Sequence, residues 1–437
     1  MRMGKNGRIT KVMKYELTYL DGCGEFREMQ KTMWGVINDV RTVQNRTIQM
    51  WSNWDYESRK HFEETGEYLD CYRETGQKQF RGHVYDQLKG KYECMGSGVL
   101  VSAINKADSK YRSAKRDVLV GNISVPSYKK DQPIPIPKVA VKLGYDEGKP
   151  TVTLSVIRQK YKKEHGWTGN LRFAVKLGDG TQKAIFNRTL MGEYGLGECQ
   201  LVYDRPKWFL MLTYNFVPAE KELGPDKTLG VDVGQVYAIY ASSFGNRGVL
   251  KIQGGEVEAY AKRKEARIRS FQNQAAHCGK GRVGHGTRTR VEPIYRNRND
   301  ISNFRNTIND IYSRSLVDYA VKNRYGVIQM EDLSGIKDDT GFPRRLRHWT
   351  YYDLQTKIEN KCKEAGIRFV KVAARYTSQR CSRCGNIDKA NRPDQETFCC
   401  TECGFKANAD YNASQNISIP GIDRIIDESI GANLKQA

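Results

Sequence analysis

No run in this sequence approaches the roughly 20 consecutive apolar residues that a membrane-spanning helix needs. The N-terminus, MRMGKNGRITKV, lacks the apolar core of a signal peptide. A cytoplasmic prokaryotic protein with no membrane partner is therefore the expectation. The six histidines form no pair at ligand spacing, and His83 with Cys71 and Cys94 fits no common zinc pattern. The glycine-rich stretch GKGRVGHG contains no GK[ST], which excludes a Walker phosphate loop. No tandem repeat is present. Acidic residues are in deficit: 50 Asp and Glu against 72 Lys and Arg leave a formal charge of +22. That surplus favours a polyanionic partner, nucleic acid first. No long basic amphipathic helix supports an acidic membrane surface instead. The 11 cysteines are no disulfide framework, because five crowd into one segment and the rest are scattered singly. A metal site in a reducing compartment is the better reading.

At 437 residues the chain is long enough for two or three domains with proper cores. Residues 8–20 alternate as a strand. Phe26, Met29, Met33, Val36, Val40 and Val43 then form a heptad stripe, read as bundle core or as a pairing surface for a second helix or subunit. Leu100, Ile104, Ala107, Tyr111, Ala114 and Val118 repeat the pattern over 99–119, with basic flanks, so 26–119 reads as a helical insert. Four prolines in 123–137 exclude helix there. Short β-like runs follow at 139–143, 151–157, 171–176, 199–203 and 208–216, a small antiparallel barrel or sandwich that the N-terminal strand completes. GPDK at 224–227 marks a linker, and beyond it strands alternate with longer helices in an α/β layout.

Cys381, Cys384, Cys400 and Cys403 form two CxxC pairs with fifteen residues between them. That spacing suits a zinc ribbon with four thiolates on one ion. Cys399 adjoins Cys400; Cys400 is the preferred ligand because CTECG mirrors CSRCG. The zinc is read as structural, with a possible substrate-contacting surface. Three carboxylates stand apart. Asp232 lies in the apolar strand LGVDVG, Glu331 ends the run GVIQMEDL, and Asp410 opens a helix in NADYNASQNI. Alone, each would be a turn cap, a solvated strand end or a first-turn helix acid. In this order, with the ribbon before the third, they have the layout of a ribonuclease-H-like site. There, clustered carboxylates hold two magnesium ions roughly 3.5–4 Å apart. Asp332 reads as a bystander facing the other way. Residues 262–298 carry eleven Lys and Arg against Glu265 and Glu292, a charge of +9. Arg263, Lys264, Arg267, Lys280, Arg282, Arg288 and Arg290 are read as a phosphate-gripping loop near the acids.

The blocks GVDVG, IQMEDL, YTSQRCSRCG and CTECGFKANADYNASQNI, covering most of 228–418, resemble the RuvC-like nuclease of transposon-encoded TnpB proteins. They equally resemble the miniature type V-F CRISPR-associated effectors. SVPSYKKDQPI at 124–134, TYYDLQTKI at 350–358 and the chain length look more like the CRISPR effector. The resemblance implies a multidomain α+β protein. An N-terminal β-barrel wedge domain (1–25 and 120–223) would carry a helical recognition domain (26–119). A RuvC-like nuclease domain (224–437) would carry a zinc-ribbon, target-nucleic-acid-binding insert (376–408). It further implies a guide RNA, double-stranded target DNA, a T-rich flanking motif and one RuvC site that cuts both strands in turn. Asp232, Glu331 and Asp410 would be the triad on two magnesium ions, and Cys381, Cys384, Cys400 and Cys403 would hold one zinc. Relatives of this type work as an asymmetric homodimer on one guide RNA. Some carry a second zinc finger in the N-terminal lobe, for which this chain has no ligands. The expected function is RNA-guided DNA cleavage. The alternatives are a TnpB-type guided nuclease, a catalytically silent nucleic-acid-binding regulator, and an unguided junction resolvase.

Overall fold

The structure is a computed structural model. It describes residues 7–69, 79–204, 206–234, 236–246, 248–279, 284–297, 299–332, 351–373 and 375–436, with side chains through residue 430. The chain divides into two compact units, Met1–Val217 and Pro218–Ala437.

The first unit contains strands β1 (Ile9–Asp21), β2 (Ile134–Ile136), β3 (Val141–Asp146), β4 (Lys149–Leu154), β5 (Leu171–Lys176), β6 (Gly195–Leu196), β7 (Cys199–Asp204) and β8 (Lys207–Phe216). Its helices are α1 (Phe26–Thr65), α2 (Phe80–Leu88), α3 (Ser97–Leu119), α4 (Gln159–Glu164) and α5 (Gly180–Leu190). The strands form one sheet in the order β2-β7-β8-β1-β5-β4-β3, with β6 on β8. β1 joins this sheet as its central strand, flanked antiparallel by β8 and β5. No ladder joins the end strands β2 and β3 among the described residues, so the hydrogen-bonded barrel expected from the sequence appears as a curled sheet. The curl is forced: residues 137–140 alone connect β2 to β3, so the two ends lie within about 18 Å of one another. Pro135 and Pro137 remove ladder donors from β2 and hold it to three residues.

The heptad stripe is core. Met29, Met33, Val36, Val40 and Val43 are fully buried, packed with Leu100, Ile104, Ala107 and Tyr111 of α3. The stripe is therefore consumed by a second helix of the same chain and is not a surface for a second subunit. Phe26, at its start, stays exposed. A capping box formed by Glu25 and Glu28 starts α1, and Gly66 at φ 77° ends it. Two buried bonds tie the bundle: Trp51 Nε1 donates to Asp108 Oδ1 at 2.9 Å, and Tyr111 Oη to Asp55 Oδ2 at 2.8 Å.

The second unit contains β9 (Gly224–Asp232), β10 (Tyr237–Ser242), β11 (Val249–Gln253), β12 (Tyr325–Glu331) and β13 (Arg368–Val372), then a ribbon of β14 (Thr397–Cys399) and β15 (Lys406–Asn408). Its helices are α6 (Glu256–Ala276), α7 (Thr287–Arg296), α8 (Asp300–Lys322), α9 (Tyr351–Ala365), α10 (Ala409–Ile417) and α11 (Ile422–Gln436). The sheet runs β11-β10-β9-β12-β13, with β9, β12 and β13 parallel and the others antiparallel. Two expectations are corrected here. GPDK is no linker: Gly224–Lys227 opens β9, where β10 does not pair, so Pro225 costs no ladder bond on that side. The basic stretch is no loop: Arg263, Lys264 and Arg267 lie on α6, and Arg288 and Arg290 on α7. Its helix-forming residues outweigh the charge and glycines that suggested a loop. No helix among the described residues is long and apolar enough to cross a membrane.

Candidate active site and metal centre

Alternation gives this sheet two chemically different faces. Leu229 and Val231 of β9 and Ile328 and Met330 of β12 join a core with Leu316, Leu354 and Ile358 of α8 and α9. The intervening positions, Gly230, Asp232, Gln329 and Glu331, therefore face the opposite side, which α10 covers. β12 pairs with β9 in parallel, Gln329 beside Gly230 and Met330 beside Val231. The next pair in this register is Glu331 and Asp232, adjacent at the C-terminal ends of neighbouring strands.

Gly230 explains how α10 comes so close. A Cβ there would lie 2.1 Å from the carbonyl oxygen of Ser414 and 2.4 Å from the amide of Ser418. The helix backbone rests on the strand, and only glycine leaves room. The interface is otherwise polar: Ser242 Oγ and Ser414 Oγ are 2.6 Å apart, and Gln415 Nε2 donates to Ser242 Oγ at 2.8 Å. Asn408 caps α10 by accepting from the Tyr411 amide at 3.1 Å, and Asp410 sits in its first turn. A Cβ on Gly234 would stand 3.8 Å from Asp410 Oδ2, so that carboxylate lies over the turn leaving Asp232. Gly230→Ala is expected to cost about 3 kcal/mol by driving α10 off the sheet. Thermal unfolding should detect it as a fall of roughly 5–10 °C.

Asp232 feels the charges of the other two acids. Burial is the largest influence on Asp232, whose exposed edge is small, and the charges of Glu331 and Asp410 add to it, pushing the carboxyl up to about 8. Arg392 and the Val233 amide, which donates to Asp232 Oδ1 at 3.0 Å, oppose that shift without cancelling it. Burial also raises Glu331 and Asp410, and Arg392 lowers both. Arg392, in the ribbon, is thus close enough for its charge to act on all three acids, and the Thr377 hydroxyl donates to Glu331 Oε1. Tyr351 is near enough for the Asp232 charge to add to burial in raising its hydroxyl to about 12. Reading the sequence assigned no role to these three residues: nothing local marks Arg392, and Tyr351 and Thr377 were visible only as parts of the blocks TYYDLQTKI and YTSQRCSRCG. Asp332 lies apart, paired to Lys371 at 3.7 Å.

Among the described residues, the four thiols of Cys381, Cys384, Cys400 and Cys403 are the one group of three or more metal-ligating side chains with ligand atoms all within 4.8 Å. Cys381 Sγ lies 3.7 Å from Cys403 Sγ, and Cys384 Sγ 3.6 Å from Cys400 Sγ. Sulfurs on a tetrahedron around zinc at ~2.3 Å stand ~3.8 Å apart, so the quartet fits that ion. Burial pushes the Cys400 thiol up, but the Cys403 and Glu402 amides outweigh it and bring it down to about 7. The Cys399 thiol is outside the quartet. The acids are less tightly gathered than the thiols, but an oxygen-only, mutually repelling set suits a hard divalent cation.

Of the basic residues, Arg263, Arg267, Arg288 and Arg290 are exposed. Lys264 is bound to Asp300, a salt bridge that already occupies its ammonium. Lys280 and Arg282 lie outside the described residues.

A family model described as Cas12f1-like, TNB domain, matches residues 351–417. The chain is 37% identical over 426 residues to the CRISPR-associated endodeoxyribonuclease Cas12f1 of Sulfoacidibacillus thermotolerans, covering 97% of this chain and 100% of that one. It is 35% identical over 391 residues to Cas12f1 of Syntrophomonas palmitatica, covering 80% and 78%. Similarity to the putative RNA-guided DNA endonuclease InsQ of Escherichia coli, 30% identity, covers 23% of this chain and 30% of that one. A solved Cas12f1 chain from a complex with sgRNA and target DNA superimposes at TM-score 0.74, with 18% identity, over 95% of this chain and 99% of that one. These matches define the class as CRISPR-associated nucleases with a multidomain α+β fold. Within it, the chain belongs to the Cas12f1 family.

Proposed function

We propose that the protein is an RNA-guided DNA endonuclease that cleaves double-stranded target DNA beside a short flanking motif, at one site built from Asp232, Glu331 and Asp410. The carrying observation is the β9/β12 register, which makes Asp232 and Glu331 neighbours on the face that α10 and Asp410 cover. The strand order β11-β10-β9-β12-β13 supports a ribonuclease-H-like, RuvC-type reading of 224–437, with 376–408 as its zinc-ribbon insert. The curled sheet supports a wedge domain (1–25 and 120–223), and α1 to α3 a recognition domain (26–119). Full-length similarity to Cas12f1 relatives, against partial similarity to InsQ, favours the CRISPR effector over the TnpB-type nuclease.

Asp232, Glu331 and Asp410 would hold two magnesium ions, which when bound supply an activated water and charge for the leaving oxygen. The chain's own residues prepare that set. The Val233 amide and Arg392 favour the charged acids, and Thr377 fixes the Glu331 carboxylate. The cysteine quartet would hold zinc and keep Arg392 facing the acids. Guide RNA pairing would read sequence while the protein reads shape and the flanking duplex. Two copies on one guide RNA complete the proposal; the mass of the ribonucleoprotein tests that part.

The test is cleavage of a matched duplex by the purified ribonucleoprotein with magnesium. Cutting without RNA would favour an unguided resolvase; guided binding by wild type with no cutting would favour a silent regulator. Target binding should also weaken steeply with salt, by about 10³-fold or more between 50 and 200 mM. Replacing both Arg267 and Arg290 by Ala should flatten the log–log slope by about 2. An unchanged slope would remove those arginines from the phosphate contacts.

A further inference from the structure

Thr377 stands between the two metal-binding regions of the second unit. It is fully buried, and its hydroxyl donates to Glu331 Oε1. Its backbone carbonyl accepts from Asn416 Nδ2 at 3.0 Å. The same amide donates to the Arg380 carbonyl at 2.6 Å, and Asn416 Oδ1 accepts from Arg380 Nη1 at 2.8 Å. One turn earlier on α10, Asn412 Nδ2 donates to the Arg380 carbonyl at 2.8 Å, and Asn412 Oδ1 accepts from the Ser382 amide at 2.9 Å. Arg380 and Ser382 flank Cys381, the first ligand of the quartet.

These bonds make one continuous path, with Thr377, Asn412 and Asn416 buried along it. It begins at the first cysteine knuckle, crosses Asn412 and Asn416 on the helix that carries Asp410, and returns through Thr377 to Glu331. Asn412 and Asn416 are fully buried, so each lost bond would orphan a polar atom away from water. A clamp that only fastened the knuckle to α10 would need the two asparagines alone. The hydroxyl on Glu331 does something else: it ties one carboxylate oxygen and so fixes that side chain's orientation.

We propose that Thr377, held in place by Asn416, is a positioning residue that transmits the geometry of the four-cysteine centre to Glu331 and so sets the affinity of the acidic site for divalent cations. The proposal rests on the reading of Glu331 as a cation-holding acid. Outer-shell partners of this kind change metal affinity by about 10–100-fold.

The experiment uses the full ribonucleoprotein with Thr377→Val, Thr377→Ser, Asn416→Ala and Glu331→Gln. Manganese binding is followed by electron paramagnetic resonance of the free ion, and the magnesium midpoint of cleavage is measured in parallel. Thr377→Val should weaken manganese binding and raise the magnesium midpoint by about tenfold or more, with cleavage recovering at saturating magnesium. Thr377→Ser, which keeps the hydroxyl, should stay within about threefold. Asn416→Ala should shift both readings in the direction of Thr377→Val. Wild-type manganese affinity in folded Thr377→Val or Asn416→Ala overturns the proposal. So does a serine variant as weak as the valine one, which decides the matter if the valine protein fails to fold. Wild-type manganese binding and cutting by Glu331→Gln would instead refute the assignment of the acidic site itself.

Discussion

Asp232→Asn is expected to lower duplex cleavage by at least about 10³-fold while making the cation-free protein more stable above neutral pH. The two effects have one cause. Burial and the neighbouring carboxylates hold the Asp232 carboxyl at about 8 against an ordinary 3.8. Between those values the folded protein keeps a proton that the unfolded chain has released. The folded state therefore binds more protons than the unfolded one, and stability falls as pH rises from about 4 to about 8. The loss amounts to a few kcal/mol for this group, and it is fully present above pH 8. Asparagine has nearly the same shape and no proton to lose, so the variant should show no such decline. In wild type, magnesium should restore the lost stability, because a ligand that binds only the folded state stabilises it. Thermal unfolding of wild type and Asp232→Asn between pH 5 and 8.5, each with and without magnesium, checks all of this. Equal melting temperatures at pH 8.5 without magnesium would show that Asp232 is not strained. Wild-type cutting by the asparagine variant would show that the acid is not catalytic.

The sequence made the framework of this site readable because its parts obey local rules. Alternation marked β1, short β-like runs between turn signals marked β3, β4, β5, β7 and β8, and heptad spacing marked α1 and α3. Apolar runs that each carry one acid marked the ends of β9 and β12, and the block NADYNASQNI marked the start of α10. The cysteine spacing marked the four-thiol cluster, since a CxxC knuckle is geometry written in sequence. What stayed hidden depends on distant partners. Gly230 looked like any strand glycine until Ser414 was found resting on it. Arg392, in the short NRPD segment between the knuckles, has no local signature, because only the folded ribbon turns it towards the acids. The charge of residues 262–298 concealed two helices whose contacts are largely with one another and with α8. The Lys264 salt bridge to Asp300 shows the limit of counting charges: a lysine already paired is a poor phosphate ligand.

Removing zinc, by chelation or by Cys381→Ser, is expected to lower cleavage by about 100-fold or more while guide RNA binding and the sheet of the second unit survive. The ribbon cannot hold its shape by burial. Its apolar core is Cys381, Phe398 and Cys400 with Phe405 against them, and two of the four are the thiols themselves. A core that small contributes little against chain entropy, so a bound zinc would supply the folding energy, roughly 10–16 kcal/mol in comparable small zinc modules. The core of the five-stranded sheet is separate, built from β9, β10, β12, α8 and α9 without a ribbon residue. Loss of the ion should therefore release residues 376–408 and leave that sheet standing. The damage to activity follows from what the ribbon holds in place. Arg392 would no longer face the acids, and Asn412 and Asn416 would lose the carbonyl partners at Arg380 and Thr377 that seat α10. Circular dichroism, guide binding and cleavage, measured before and after chelation and again after zinc is restored, separate the outcomes. Cleavage that survives with the ribbon unfolded would show that the quartet does not support the site. Collapse of the whole second unit would show that the sheet depends on the ribbon, against the separation of their cores.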